Sequence, residues 1–278
     1  MAIITDMVDQ YAALDKATTE FKKVSDLSGA SLDKYVQKLN KMGQTTARTG
    51  SEMVEAATQF RKNSFSDEDS AQLALVATAF QNVSDTSISA ADSASFIISQ
   101  LKAFQNEGIT AYQVIDKVNE VANNFAVGTN DLSSALEVAG AGLSTYNNSY
   151  DQTIALVTAG SEIMTGRSLQ VARGLNTIAA RLTTNQSLLA EYGISLQDSN
   201  GHMRSTYDIL KDLSKAWQTM EEEERVSVGQ SIAGINQYKV LAAVMTNFQS
   251  AIDAVTVAEQ AEGSAMRENA RYMESFEA

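Results

Sequence analysis

The chain has 278 residues but no cysteine, no proline and only one histidine, His202. Without cysteine there can be no disulfide bond, thiolate zinc site or cysteine nucleophile. One histidine cannot form a multi-histidine metal site. At the average usage of about 5%, a chain of this length would contain on the order of a dozen prolines. Because proline interrupts helices, its absence favours a helical chain.

Positive charge is also scarce, since 21 Lys and Arg face 34 Asp and Glu and leave a formal net charge of −13. A surface of this sign repels a polyanion, so we expect no specific nucleic-acid binding. Polar residues interrupt every apolar run before it reaches the roughly 20 residues of a membrane span. We therefore expect no membrane span in this segment.

The two ends of the chain lead to two further expectations. The first residues include Asp6 and lack the basic start of a secretory signal, so we expect no export signal. The helical pattern continues to the last residues without a Gly or Asn stop, so we expect a fragment of a longer protein.

Apolar residues recur at helical spacing through almost the whole chain. In the first segment they form one stripe of Ile3, Met7, Tyr11, Leu14, Phe21 and Val24. Turn signals at intervals of about 15–25 residues predict an all-α fold of short-to-medium helices in stacked helical hairpins. We expect an N-terminal helical segment over residues 1–65 and a helical domain over residues 66–278, with one continuous module as the alternative.

Polar residues and glycines predict where the helices begin and end. The expected caps or first residues are Ser31, Ser66, Ser89, Thr110, Ser149 or Asp151, and Ser168. After Ser149, we expect Ile154, Val157 and Ile163 to face the core. Towards the C-terminus the pattern predicts one helix over about 232–248 and a last helix from about 251 onward.

The helical period is replaced by a period of two over residues 193–204. Ile194 and Leu196 alternate there with polar residues, and Asn200-Gly201 follows. Asn-Gly accepts positive φ at both central positions of a tight turn. We therefore predict one small β-hairpin near residues 194–204.

Three patterns that carry chemistry in other proteins have plainer explanations here. Gly140-Ala141-Gly142 follows a helical stripe and lacks a third glycine, which favours a helix terminus over a nucleotide site. Asp67-Glu68-Asp69 at a helix start favours dipole compensation over a catalytic carboxylate pair or a calcium loop. Glu221–Glu224 favours a solvated helix start over a site for a basic partner.

No set of residues predicts catalysis. Ser144 and Thr145 have no base near them, because His202 lies far along the chain in the predicted turn. We expect no enzyme activity, no cofactor and no metal site. Abundant small residues on the helices favour close packing within the chain, and association of copies stays open.

One stretch carries a family resemblance. A helix ends at Gly193, an apolar pair follows, Asp198 precedes the Asn200-Gly201 turn, and basic Arg204 precedes a helix with Ile209-Leu210. Together with segments 127–140, 176–182 and 262–265, this stretch resembles the conserved domain of the phage tail tape measure protein family, over roughly residues 30–275. The motif residues that match are Gly193, Asp198, Asn200, Gly201, Arg204, Arg181 and Gly263.

The resemblance implies a virion structural protein of a phage, prophage or phage-derived particle. Such a protein helps to set tail length and occupies the tail tube lumen in several self-associated copies until genome ejection. Its implied partners are tail tube proteins, baseplate or tail-initiator proteins and tail assembly chaperones, with assembly in the host cytoplasm. The alternative from the residues alone is a non-virion helical interaction module, such as a secreted effector or adaptor.

Overall fold

The computed structural model describes residues 2–277, and the side chains of residues 7–275. Residues 2–277 form fifteen α-helices and no β-strand, which confirms the all-α prediction. In chain order the helices are α1 Ala2–Lys22, α2 Gly29–Gly43, α3 Gly50–Lys62, α4 Asp67–Val83, α5 Ala90–Ala103, α6 Ala111–Asn124, α7 Thr129–Thr145, α8 Tyr150–Ile163, α9 Ser168–Leu182, α10 Gln186–Glu191, α11 Thr206–Thr219, α12 Glu222–Ala233, α13 Tyr238–Thr246, α14 Phe248–Glu259 and α15 Ser264–Glu277.

Hydrogen bonds between side chain and backbone mark most of the predicted helix starts. Four predicted caps accept the backbone N–H three residues further on, at 3.0–3.2 Å: Ser66, Ser89, Thr110 and Ser149. Helix α9 begins at Ser168 as expected. The expectation for Ser31 is wrong, because α2 begins at Gly29 and Ser28 is its cap residue. The Ser31 hydroxyl instead donates to the carbonyl of Ser28 at 2.7 Å.

The two helices predicted near the C-terminus are each interrupted by a glycine in the left-handed region. Helix α12 ends at Ala233, and Gly234 turns the chain with φ +76° before α13 begins. Gly263 has φ +73° and separates α14 from α15. The predictions of single helices over 232–248 and from 251 onward are therefore wrong. The apolar spacing continues across both breaks and so hides them in the sequence. At each break a glycine adopts the turn without strain.

Gly140 and Gly142 lie inside α7, so the prediction of a helix terminus there is also wrong. A Cβ atom at Gly140 would lie 2.9 Å from Oε1 of Gln100, and one at Gly142 would lie 2.2 Å from Oδ1 of Asn176. Neither position leaves room for a methyl group. The glycines therefore let α7 approach α5 and α9 closely.

The chain divides into two compact units, and unit 1 consists of Met1–Ile98, Thr110–Asp116 and Gly263–Ala278. In this unit α1 and α2 pack on α3, while α3 and α15 pack on α4. Aromatic pairs fill its core, with ring centroids of Phe21 and Tyr35 at 4.9 Å and of Phe80 and Phe96 at 5.3 Å. Only the second half of the α1 stripe is buried, because Phe21 is inaccessible while Met7 and Tyr11 are exposed. The side chain of Ile3 lies outside the described residues.

Two polar contacts join the three segments of unit 1. The buried carboxylate of Asp116 accepts hydrogen bonds from the backbone N–H groups of Gly263 and Ala265, both at 2.9 Å. It thereby caps the N-terminus of α15, where a negative charge also complements the helix dipole. On α4, the Asn82 amide donates to the carbonyl of Thr46 and to Oδ1 of Asn269, both at 2.7 Å.

Unit 2 consists of Ser99–Ile109 and Lys117–Glu262 and is built around α8. Helix α8 packs against α7, α9, α13 and α14, and an unbroken run of its residues, 153–161, is buried. A helix buried on all sides is the core of its domain. The Lys117 ammonium ties three helices together, because it lies 2.7 Å from the Asp151 carboxylate and donates to the carbonyl of Ala258 at 3.1 Å.

Among the described residues, no single helix has the length and apolar composition of a membrane span. Helices α13 and α14 reach that length only together, across a bend of 69°. The predicted domain boundary at residue 65 stays a prediction.

The Asp116 clamp leads to a stability prediction. We expect Asp116→Ala to lower the free energy of unfolding by about 2–4 kcal/mol, because it leaves backbone N–H groups at the start of α15 without their acceptor. Asp33→Ala is the control, since Asp33 is an exposed acid of the same unit. Urea unfolding followed by circular dichroism measures both. Equal midpoints for the two variants would show that the clamp contributes nothing.

Candidate functional site

The segment with the family resemblance forms one continuous structure between α10 and α11, here called the turn unit (residues 189–210). It begins where α10 ends. Gly193 has φ +71° and donates its N–H to the carbonyl of Ala190 at 3.0 Å, while the N–H of Ile194 reaches the carbonyl of Leu189 at 3.0 Å. This pair of bonds is a Schellman motif, which requires a residue such as glycine with positive φ. Ile194 and Leu189 are both buried.

A tight turn follows at Asp198–Gly201. The N–H of Gly201 donates to the carbonyl of Asp198 at 3.1 Å, and the Asp198 carboxylate accepts the N–H groups of Asn200 at 2.8 Å and His202 at 2.9 Å. These two backbone hydrogen bonds lower the pKa of Asp198 below its ordinary value, and the bond from His202 has the larger effect. Gly201 has φ +79°, whereas Asn200 does not have positive φ. The expectation of positive φ at both residues is therefore wrong for Asn200.

The predicted β-hairpin near residues 194–204 is not formed. One isolated antiparallel bridge joins Gln197 to Met203, and no strand extends from it. Side chains hold the neighbouring backbone: Ser195 Oγ accepts the N–H of Gln197 at 3.0 Å, and Arg204 donates to the carbonyl of Ser195 at 2.9 Å. The alternation of Ile194 and Leu196 instead buries two side chains of an irregular loop.

Arg204 fixes the turn unit to the helix that follows it. Its guanidinium donates to the carbonyls of Ser195 at 2.9 Å and Asp208 at 3.1 Å, and it pairs with the Asp212 carboxylate at 2.6 Å. Lys215 lies 2.9 Å from the same carboxylate. Burial acts to raise the pKa of Asp212, but the hydrogen bonds from Lys215 and Arg204 outweigh it and the pKa is lowered.

The loop between α7 and α8 holds the other side of the turn unit. The Asn147 amide donates to the carbonyl of Met203 at 3.0 Å, and the buried Asn148 accepts the N–H of Tyr207 at 2.8 Å. The N–H of Thr206 donates to the carbonyl of Tyr146 at 3.2 Å. The sequence-based search missed Asn147 and Asn148. Two asparagines directly after a helix are a recognisable stop signal, but their long-range partners are not visible in sequence.

The structure places the seven motif residues in three locations. Five lie in the turn unit: Gly193, Asp198, Asn200, Gly201 and Arg204. Arg181 lies on α9 and donates to the carbonyls of Ile232 at 3.0 Å and Ser231 at 2.8 Å, where α12 ends. Gly263 belongs to unit 1 and donates to Asp116. Their roles within the family stay predictions.

The tip of the turn unit is exposed over residues 197–203. The His202 side chain is 80% accessible, and its Nδ1 lies 3.7 Å from the Asp198 carboxylate. Across the described residues, no three His, Cys, Asp or Glu side chains form a group that could hold a metal ion. The turn unit thus presents an exposed tip whose backbone is held by the Asp198 carboxylate.

A second feature of unit 2 is a groove of about 580 Å³ between the end of α8, the start of α9 and α13. Its lining residues are Ile163, Met164, Thr165, Arg167, Tyr238, Lys239, Ala242, Ala243 and Thr246. The expectation that Ile163 faces the core is wrong, because it is the last residue of α8 and is 54% exposed. Ile154 and Val157 are fully buried as expected.

The sequence was compared with known protein families and solved structures. The family model described as phage-related minor tail protein matches residues 36–234, which include the whole turn unit. Gly263 lies outside the matched range. No solved structure matches the chain.

The conformation of Gly201 leads to a prediction for the turn unit. We expect Gly201→Val to lower the free energy of unfolding by about 1–2 kcal/mol, because a β-branched residue is strained at φ +79°. Ser199→Val is the control, since it introduces the same side chain into the same exposed turn at a residue without positive φ. Thermal unfolding compares them. If both variants shift the midpoint equally, backbone strain is not the cause.

Burial of Tyr207 leads to a prediction for alkaline pH. Burial raises the pKa of Tyr207 to about 12 from its ordinary value of 10.0, so the folded state favours the neutral phenol. This contribution to stability is complete below about pH 10, where the unfolded phenol is also neutral, and it is lost as the pH rises towards about 12. We expect Tyr207→Phe to lose less unfolding free energy than wild type over that interval. The exposed Tyr112 provides the control in Tyr112→Phe, which should follow wild type.

Proposed function

The chain belongs to the phage-related minor tail protein family, and from this membership we propose that it is a segment of a tape measure protein. Family membership gives it a structural role in the phage tail and a location in the virion tail. The observation that carries the finer proposal is the turn unit: its Gly193, Asp198, Gly201 and Arg204 match the tape measure motif and lie inside the region matched by the family model.

The absence of proline supports a role as part of a ruler. A helix advances about 1.5 Å per residue, so a helical chain converts its number of residues directly into length. The fifteen helices described here are short, however, and fold into two units that are each compact. We therefore assign this segment to a folded part attached to the ruler, which holds the ruler in place during assembly.

The same short helices suit ejection from a narrow tube. The sequence contains no cysteine, and several helix starts are each closed by one side-chain cap, as at Ser66, Ser89 and Ser149. Such elements can open one after another at a modest free energy each. The module accordingly occupies the tail tube lumen until genome delivery and leaves it by sequential unfolding.

The proposed partners follow from that location. Several copies associate with one another in the lumen, next to tail tube proteins and to baseplate or tail-initiator proteins. Tail assembly chaperones bind the protein in the host cytoplasm before assembly. The net charge of −13 keeps it from adhering to the genome that shares the tail.

A structural role without enzyme activity agrees with the family. The exposed His202 has only Asp198 beside it, and the hydrogen bonds of that carboxylate to two backbone N–H groups hold the turn together. General acid–base chemistry requires a base within reach of a bound substrate. The turn unit offers a surface but no enclosed pocket for a substrate.

Tail length tests the proposal. We expect insertion of about 20 helix-forming residues into the ruler part of the full-length gene to lengthen the tail by about 30 Å, at about 1.5 Å per residue. Electron microscopy of the particles measures the length. The control places the same codons after the stop codon and should leave the length unchanged. Intact particles with tails of wild-type length from the insertion gene would refute the tape measure role.

A further inference from the structure

The groove in unit 2 combines an apolar floor with two free cations. Ile163, Met164 and Ala242 supply apolar surface, and Arg167 and Lys239 supply positive charge. Both cations are exposed, and within the described residues neither makes an ion pair or a side-chain hydrogen bond. A volume of about 580 Å³ lies within the range of about 300–1,000 Å³ of clefts that accept a ligand.

Five of the ten positive side chains of unit 2 are bound to carboxylates or carbonyls, whereas Arg167 and Lys239 remain available to a partner. The bound cations are Lys117, Arg181, Arg204, Lys215 and Arg225. Two unpaired cations beside an apolar floor form a local positive surface on a chain of charge −13. Such a surface is complementary to an acidic segment that also carries apolar side chains.

The first half of α1 has these properties. Met7, Val8 and Tyr11 are 66%, 61% and 79% exposed. Residues 6–15 contain three aspartates and no Lys or Arg. Asp15 follows Tyr11 by four residues, so it lies on the same helix face as the exposed aromatic ring.

This half of α1 is also loosely packed within its own unit. A gap of about 270 Å³ lies between Met7, Tyr11 and Leu14 on α1 and the start of α3 at Gly50. The apolar residues that follow on α1, Ala17 and Phe21, are buried. Burial of large apolar side chains is the main source of association free energy, so the exposed face is a candidate interface.

We infer that residues 7–15 of α1 from one copy dock into the Arg167–Lys239 groove of a second copy. Met7, Val8 and Tyr11 then cover Ile163, Met164 and Ala242, while Asp15 lies near the free cations. This contact joins two different surfaces, so a pair of copies keeps one free groove on one copy and one free α1 on the other. Further copies can therefore be added through the same contact.

The inference depends on the proposed tape measure function only for its place in the virion. The contact itself is a property of the isolated chain, so it is tested without any tail particle. If the chain stays monomeric, the tape measure proposal still stands on tail length. If tails keep their length while the chain associates, only the ruler role fails.

Sedimentation velocity of the full 278-residue chain at increasing concentration tests the interface. We expect association that Tyr11→Ser, Arg167→Glu and Lys239→Glu each weaken about tenfold or more, as for central aromatic and charged interface residues. Controls are Tyr112→Ser, an exposed tyrosine outside α1, and Arg173→Glu, an exposed cation of α9 outside the groove. Both controls should associate like wild type. A monomeric wild type even at about 1 mM, or equal effects of the controls, would overturn the inference.

Mixing two variants tests the pairing of different surfaces. Tyr11→Ser keeps an intact groove and Lys239→Glu keeps an intact α1, so a mixture of the two weakened variants should form a one-to-one dimer and nothing larger. No dimer in the mixture would mean that each surface binds its own kind, and the inference would be wrong.

Engineered cysteines give a second readout that does not depend on weakened variants. Because the sequence contains no cysteine, any disulfide must join the introduced residues. A chain with Val8→Cys mixed with a chain with Thr246→Cys should form a mixed disulfide dimer under mild oxidation. Tyr112→Cys with Thr246→Cys is the control pair and should form little. Equal yields from both pairs would count against docking of α1 in the groove.

Discussion

The structure depends on which groups form hydrogen bonds with the unpaired backbone N–H and C=O groups at the ends of its many short helices. Each α-helix leaves four N–H groups and four carbonyls without partners inside the helix. Ser, Thr and Asp side chains accept many of the N–H groups, as at Ser66 and Asp116. Several carbonyls near helix ends are bound by the scarce cations: Lys117 binds that of Ala258, and Arg181 those of Ser231 and Ile232. In this acidic chain, several positive side chains thus bind backbone carbonyls in addition to forming ion pairs.

The need to pair backbone groups also explains how the turn unit is held in place. Arg204 and Asn148 bind backbone groups on both sides of it, so the loop between α10 and α11 is fixed without a β-sheet. Residues 197–203 form a continuous exposed tip. An anchored, exposed tip of this kind agrees with the structural role of the family in the phage tail.

The interruptions of the helical pattern show where sequence reasoning reached its limit. Glycines at 140 and 142 look like a helix end in sequence, yet they lie inside α7 because Gln100 and Asn176 approach them from other helices. Gly234 does end a helix, through its positive φ. The same residue type serves close approach in one place and chain reversal in the other. Its local sequence does not distinguish these roles, since the difference lies in residues far along the chain.

The sequence by itself determined the all-α class, the helix starts at Ser66, Ser89 and Thr110, and the family motif, because helical periodicity and N-terminal caps act within three or four residues. Tertiary structure alone decided the segments of each unit, the irregular form of residues 194–204, and the exposure of Met7, Tyr11 and Ile163. These features depend on contacts between distant residues. A stripe of apolar side chains gives a helix one face, but only the presence or absence of a neighbouring element determines whether that face is covered.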